Sequence, residues 1–271
     1  MPKLGLVGSL TIDLIEGGPP QAGGAPFHAA RALRLLGRRA VVVTRCGESD
    51  RARLLPSLVA LGLPVTCLEG DSTSTFAFRY EGDVRHFEIV GVGDSWSPAE
   101  ARELRRGPLA GVEWIHVGPV LRSEFPPETL EELASGRRLS YDGHGLVRRP
   151  EPGPLHLDAD FDPAVLRHVS FLKLAEEEAI AAAGSLEPEA LAALGPPEVL
   201  VTFGSRGALV VVDGKAERVE AHPVLDADPT GSGDAFAAGY LASRSSGLAP
   251  AAAARRATSL VGTLLLAGRR R

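Results

Sequence analysis

Asparagine is absent from this chain of 271 residues, and glutamine (Gln21) and methionine (Met1) occur once each. Lysine is almost absent too. Lys3, Lys173 and Lys215 stand among 29 basic residues, so arginine carries nearly all the positive charge. Scarce Asn, Gln, Met and Cys beside 21 prolines is a composition expected of a thermophile, and a GC-rich genome gives part of the same bias. Two cysteines, Cys46 and Cys67, with no Cys-x-x-Cys spacing, point to free thiols in a reducing cytoplasm, with a disulfide left open. The chain also lacks a basic tract. Its net charge of −5 argues against a nucleic-acid partner, and Arg269-Arg270-Arg271 reads as a solvated end. The longest apolar runs, Val199 to Phe203 and Ala208 to Val212, are strand-sized and too short for a bilayer. The first residues show no basic-then-apolar leader pattern. A cytoplasmic protein without a membrane partner is the expectation.

What is present reads as alternating strands and helices. Leu4 to Val7 and Ala40 to Thr44 are apolar strand runs. Between them Phe27 to Leu36 has helical spacing and ends at Gly37, and Asp50 to Leu61 is a second helix closed by Gly62. Units of this kind predict an α/β fold with a mostly parallel sheet and helices on both faces. The rhythm breaks at Ser72. Thr75 to Tyr80 and Val84 to Val90 flank Glu81-Gly82-Asp83, a hairpin turn signal. Phe76, Phe78 and Tyr80 share one face of that strand, and Thr75, Ala77 and Arg79 the other. After Gly93 the alternation resumes. Helices are predicted over 98–106, 128–134, 163–167, 176–182, 188–194, 235–243 and 250–266. Strands are predicted over 114–117, 138–141, 171–174, 199–202 and 208–213. Arg148 to Pro154 reads as a Pro-rich loop.

Asp228-Pro229-Thr230-Gly231-Ser232-Gly233-Asp234-Ala235-Phe236 carries the most chemistry. Gly231 and Gly233 permit a tight turn that exposes backbone N–H groups. The following helix start offers unpartnered donors and the positive end of a dipole, which suits a phosphate or a developing anion. Asp234 in the same turn can take a proton from an alcohol. An anion cradle beside a base is what phosphoryl transfer to a hydroxyl requires. The turn is not a Walker A loop, because no Lys follows the glycines. A plain helix cap made by Asp228 and Thr230 would use the same residues.

These nine residues resemble the C-terminal signature of the ribokinase-like, or PfkB, family of sugar and nucleoside kinases. Gly8-Ser9-Leu10-Thr11-Ile12-Asp13, Gly23-Gly24-Ala25-Pro26-Phe27-His28-Ala29-Ala30 and Val201-Thr202-Phe203-Gly204-Ser205-Arg206-Gly207-Ala208 resemble further family segments in order and spacing, from Gly5 to about Leu266. The resemblance implies one domain with the ribokinase-like three-layer sandwich and a small β-strand lid, built from strands near 10–20 and 72–92. It also implies ATP and Mg²⁺, and a sugar, nucleoside or polyol as acceptor. Asp234 takes the family's base position, with Gly231, Ser232 and Gly233 as its anion hole. Asp13, Gly23, Gly24 and His28 fall on the substrate positions, although the family usually has Asn where His28 stands. Thr202, Gly204, Thr230, Gly231 and Gly233 fall on the nucleotide positions. Lys173 to Ala179 resembles the Asn-x-x-Glu segment, with Glu178 organising Mg²⁺ through water and Ala175 in place of the Asn. Asp142 and Arg148 follow a strand and are candidates for contacts with metal or phosphate, or form an ordinary polar loop. A homodimer through the lid is also implied.

Two other classes compete. A non-catalytic ligand-binding relative is motivated by Ala175 and His28, and opposed by the retained Asp234. A Rossmann oxidoreductase lacks support, because Gly5-Leu6-Val7-Gly8 is not followed by a Gly-x-x-Gly opening a helix.

Overall fold

The computed structural model describes residues 3–268 apart from 17, 82, 83, 123 and 226. The chain opens with β1 (Lys3–Ser9), β2 (Thr11–Ile15) and β3 (Gln21–Gly23), then α1 (Ala25–Leu35), β4 (Ala40–Gly47), α2 (Glu48–Val59) and β5 (Val65–Gly70). A hairpin, β6 (Thr75–Glu81) and β7 (Val84–Gly91), precedes α3 (Pro98–Arg106), β8 (Val112–Val117), α4 (Pro127–Ala134) and β9 (Arg138–Asp142). Next come α5 (His144–Val147), β10 (Gly153–Pro154), a 3-10 turn (Pro163–His168), β11 (Val169–Ala175), α6 (Glu176–Ala183) and α7 (Pro188–Ala192). The last strands are β12 (Glu198–Thr202), β13 (Ala208–Val212) and β14 (Lys215–Val219), followed by α8 (Ser232–Arg244) and α9 (Pro250–Gly268).

Among the described residues the large sheet has nine strands in the order β14-β13-β12-β11-β9-β8-β1-β4-β5. Pairing is parallel from β12 to β5, and β13 and β14 close one edge antiparallel. The inner strands are nearly all apolar because both faces are covered. One face packs Leu104, Leu130, Leu133 and Leu191 of α3, α4 and α7. The other packs Leu33, Leu54, Leu58, Tyr240, Leu241 and Leu260 of α1, α2, α8 and α9. Helix ends follow local chemistry. Ser97 and Glu100 form a capping box at α3, and Gly37 at φ 60° follows the end of α1.

A second sheet, β10-β7-β6-β2-β3, forms the lid. Its register puts Asp13 beside Phe76, Ile15 beside Phe78, and Phe78 opposite Phe87. The Phe76–Phe78 side of β6 therefore turns inward, where both rings are buried and pack on Phe87, Phe76 tilted at 38° and Phe78 T-shaped at 80°. Arg79 sits on the outer face, paired with Glu88 at 3.6 Å. Gly82 and Asp83 of the expected hairpin turn, the Tyr80 side chain and Arg269–Arg271 lie outside the described residues.

Several boundaries differ from expectation. The strand β5 follows α2 where none was predicted, and β14 follows β13. Both are edge strands, and β14 (Lys-Ala-Glu-Arg-Val) has only Val219 buried, so no apolar pattern marks it. Gly153–Pro154, within the stretch read as a loop, pairs with Ile89 and Glu88 as the lid's edge. Part of the lid expected near 10–20 comes from β3, just beyond that range. The helix α8 begins at Ser232 rather than Ala235, so Asp234 lies in its first turn and not in the loop before it. Ser and Gly are weak helix formers, and only packing against α1 and α9 makes this turn helical. Cys46 and Cys67 are free thiols with sulfurs 4.0 Å apart.

Candidate active site

A cleft of about 830 Å³ lies over the carboxyl ends of β1, β9, β11 and β12, with the lid above one end and α9 beside the other. Ligands of open α/β sheets bind at this edge, because the strands end there and the following loops and helix starts point into one crevice.

Gly231 takes the left-handed conformation (φ 75°, ψ 6°) immediately before α8. A Cβ there would sit 2.1 Å from His28 Nδ1, so only glycine lets the starts of α1 and α8 touch. Asp228 holds the approach. Its Oδ1 accepts from the Thr230 backbone N–H at 2.9 Å and from the Thr230 hydroxyl at 2.7 Å. The Ser232 N–H donates back to the Pro229 carbonyl at 3.0 Å and the Ala235 N–H to the Gly231 carbonyl at 3.0 Å, which leaves the N–H groups of Gly233 and Asp234 without an acceptor among the described residues.

Asp234 is 7% exposed and lines the cleft, and its Oδ1 has no hydrogen-bond partner among the described residues. Burial, reinforced by the nearby charge of Asp142, raises its pKa from 3.8 to about 6, against the lowering pull of His144, Lys173 and Arg148. Two neighbouring carboxyls go the other way. Burial alone would raise Asp142, but His144 and Lys173 pull it below the ordinary range. His144, Lys173 and Arg148 outweigh burial at Glu178 as well. Three buried carboxyls thus divide into two fixed anions and one group poised to exchange a proton near neutrality.

The two anions anchor a charged cluster. His144 sits between them, with Nδ1 3.4 Å from Asp142 Oδ1 and Nε2 3.2 Å from Glu178 Oε1. Arg148 reaches Glu178 Oε1 at 3.3 Å and lies over the Phe87 ring. Glu178 Oε2 accepts from the Ala175 backbone N–H at 2.8 Å, so it also closes the start of α6. Lys173 Nζ is 3.3 Å from Asp142 Oδ2. One ligand atom each from Asp142, His144 and Asp234 fall within 4.8 Å of one another.

At the lid end, Asp13 is 8% exposed and accepts from the Thr11 hydroxyl at 2.7 Å. A Cβ on Gly23 would lie 2.2 Å from this carboxylate, and Gly24 is at φ 97° against the Ser9 carbonyl. The two glycines therefore make room for Asp13 and the start of α1. His28 lies between Asp13 and Gly231, and burial lowers its pKa to about 4, so it is a neutral donor and acceptor at physiological pH. At the far end, Thr202, Gly204, Thr230, Gly231 and Gly233 line the cleft together with Val261, Gly262 and Leu265 of α9.

The structure thus brings every candidate site residue from the sequence into or against one cleft. The sequence did not mark out Lys173, His144 or Phe87 as site residues. A lysine inside the apolar strand Phe171-Leu172-Lys173-Leu174 was the available signal.

The layered α/β fold with a separate lid sheet and a cleft at the strand ends is the ribokinase-like fold. The chain matches the pfkB family of carbohydrate kinases over residues 20–264 and belongs to that family. It is 26% identical over 269 residues to a fructokinase of Klebsiella pneumoniae, covering 89% of this chain and 83% of that protein. It is 29% identical over 260 residues to an inositol 3-kinase of Oryza sativa subsp. japonica, covering 87% of this chain and 61% of that protein. In fold it is similar to a pyrophosphate-dependent kinase in the ribokinase family, solved with a pyrophosphate analog and myo-inositol, with a TM-score of 0.81 at 22% identity over 97% of this chain and 95% of that one. The protein is a carbohydrate kinase. Among the described residues no helix is long and apolar enough to cross a membrane.

Proposed function

We propose that the protein transfers the γ-phosphoryl group of ATP to a hydroxyl of an uncharged sugar or polyol, with Asp234 as the general base. One observation carries this: Asp234 is buried in the cleft at the start of α8, with an unpartnered Oδ1 and a pKa near 6. A carboxylate so placed accepts the hydroxyl proton as the oxygen attacks phosphorus. The N–H groups of Gly231, Gly233 and Asp234 stabilise the charge on the phosphoryl oxygens, while that of Ser232 closes the turn on the Pro229 carbonyl. The apolar wall of Val261, Gly262 and Leu265 suits a nucleoside base, and Thr202 and Gly204 line the same cleft.

Asp13 and neutral His28 supply hydrogen bonds to hydroxyls, and Phe76, Phe78 and Phe87 supply a face for the C–H side of a ring. Arg148 and Lys173 line the cleft, and Glu178 and Asp142 hold them. An acceptor that already carries phosphate would meet the Asp13 charge.

The carboxylates Asp142 and Glu178 fit Mg²⁺, which takes oxygen ligands and keeps several waters, and Asp142 Oδ2 is a buried oxygen with the Lys173 ammonium, 3.3 Å away, as its partner. Mg²⁺ bound there would neutralise charge on the donor phosphates. Ala175 provides no side-chain amide at this place.

The test is ATP consumption against fructose, ribose, inositol, nucleosides and fructose 6-phosphate, with pyrophosphate as alternative donor and Asp234→Asn as control. Turnover of a neutral sugar or polyol that disappears in the control is expected. Turnover of fructose 6-phosphate alone overturns the acceptor class. An Asp234→Asn variant as fast as wild type removes the base.

A further inference from the structure

The cleft holds an ammonium that this mechanism leaves unused. Lys173 is 2% exposed and lines the cleft. An ammonium has three N–H donors. Asp142 Oδ2 at 3.3 Å is the partner of Nζ among the described residues, which leaves two donors without a protein acceptor. Nζ lies against the first turn of α8, where a Cβ on Gly233 would come within 2.8 Å of it. Gly233 therefore opens the backbone to this ammonium as well as to a ligand. The chain uses arginine almost everywhere else, yet a lysine stands here. A guanidinium is planar and broad, whereas an ammonium is a compact point charge that fits beneath a helix turn.

We propose that Lys173 is a further catalytic residue, its ammonium donating to the oxygens of the phosphoryl group in transfer from beneath the Gly231–Asp234 turn. This role rests on the phosphoryl-transfer function proposed above. As the acceptor oxygen bonds to the γ-phosphorus, the bond from that phosphorus to the bridging oxygen of ATP breaks. ADP leaves with that electron pair, the acceptor proton passes to Asp234, and Lys173 keeps its own proton throughout. The ammonium is held by Asp142 before substrate arrives, so it costs no reorganisation during the reaction.

The experiment compares wild type with Lys173→Met. With wild-type turnover established, Lys173→Met is expected to lower kcat about 10²- to 10³-fold, the loss typical of one preorganised donor, and to leave the acceptor KM within about threefold. Calorimetry with two probes in Mg²⁺ separates a catalytic from a structural role. Affinity for the non-hydrolysable analogue AMP-PNP should fall about tenfold while ADP affinity is kept, because only the analogue carries the γ-phosphoryl. A kcat within threefold of wild type, or equal losses for AMP-PNP and ADP, overturns the role. If Lys173→Met does not fold, Lys173→Met with Asp142→Asn removes both partners, and the same probe ratio is read against Asp142→Asn alone. Wild-type protein without phosphotransfer overturns the functional proposal and this role together. Wild-type turnover with an unaffected Lys173→Met overturns this role alone.

Discussion

Asp234→Asn should abolish turnover and stabilise the fold at the same time. In the folded protein the carboxyl has a pKa of about 6, against 3.8 for the free side chain, chiefly because burial penalises its charge. The folded state therefore holds the proton more tightly than the unfolded chain. The sign follows: ionised Asp234 opposes folding, and the penalty is absent below about pH 3.8, grows as pH rises, and is complete above about 6. A shift of this size corresponds to about 3 kcal/mol at pH 7. Asparagine has nearly the same shape and no charge, and Oδ1 has no hydrogen bond to lose. For a domain of this size that gain raises Tm by roughly 6 °C. Thermal unfolding of both proteins from pH 4 to pH 8, beside turnover, is the assay. The Tm advantage of the variant should be largest at and above pH 7 and vanish near pH 4. A variant that is less stable at pH 7, or whose difference from wild type does not change with pH, refutes the account of Asp234 as a buried, destabilised carboxylate.

The same pKa places an acid limb in the pH profile: kcat/KM of wild type should fall about tenfold from pH 7 to pH 5, whereas a profile flat to pH 5 points to an ordinary carboxylate. Gly231→Ala should cost about 2–4 kcal/mol in urea unfolding, because it combines a left-handed backbone with a clash on His28. Adding His28→Ala should recover the clash but not the backbone strain. Asp13→Ala should raise the acceptor KM about 10²-fold and spare the ATP KM, as expected for two lost hydrogen bonds to a charged group; a matching rise in both KM values would mean a general disturbance of the cleft. If the Asn-free, Pro-rich composition reflects growth at high temperature, wild-type Tm should exceed about 55 °C, the range of ordinary mesophile domains.

Helices with strong ends were legible in the sequence. Pro98–Arg106 matches its expected bounds because Ser97, Pro98 and Glu100 fix its start locally. Buried strands such as Ala40–Gly47 were legible because both faces are apolar. The edge strands Val65–Gly70 and Lys215–Val219 were not, since a neighbouring backbone and not side-chain pattern makes them strands. The start of α8 was misplaced for a related reason: Ser232 and Gly233 have little helical preference of their own.

The residues proposed to act on phosphate and hydroxyl were specified locally. Glycines at 23, 24, 231 and 233 and carboxylates at 13 and 234 are needed whatever surrounds them, because turn geometry and proton transfer demand those types. Tertiary structure alone decided which face of β6 meets the cleft, since either face of an isolated strand is equivalent until the sheet packs. It alone raised the pKa of Asp234 and lowered that of Asp142, because the two carboxyls differ only in the burial and charges brought to them from β9, β11, α5 and α6. It also put Lys173, an unremarked residue inside an apolar strand, under the turn at Gly233 some 60 residues further along the chain. Sequence sets which chemistry is available, and long-range packing sets the dielectric and charge that select among chemically similar groups.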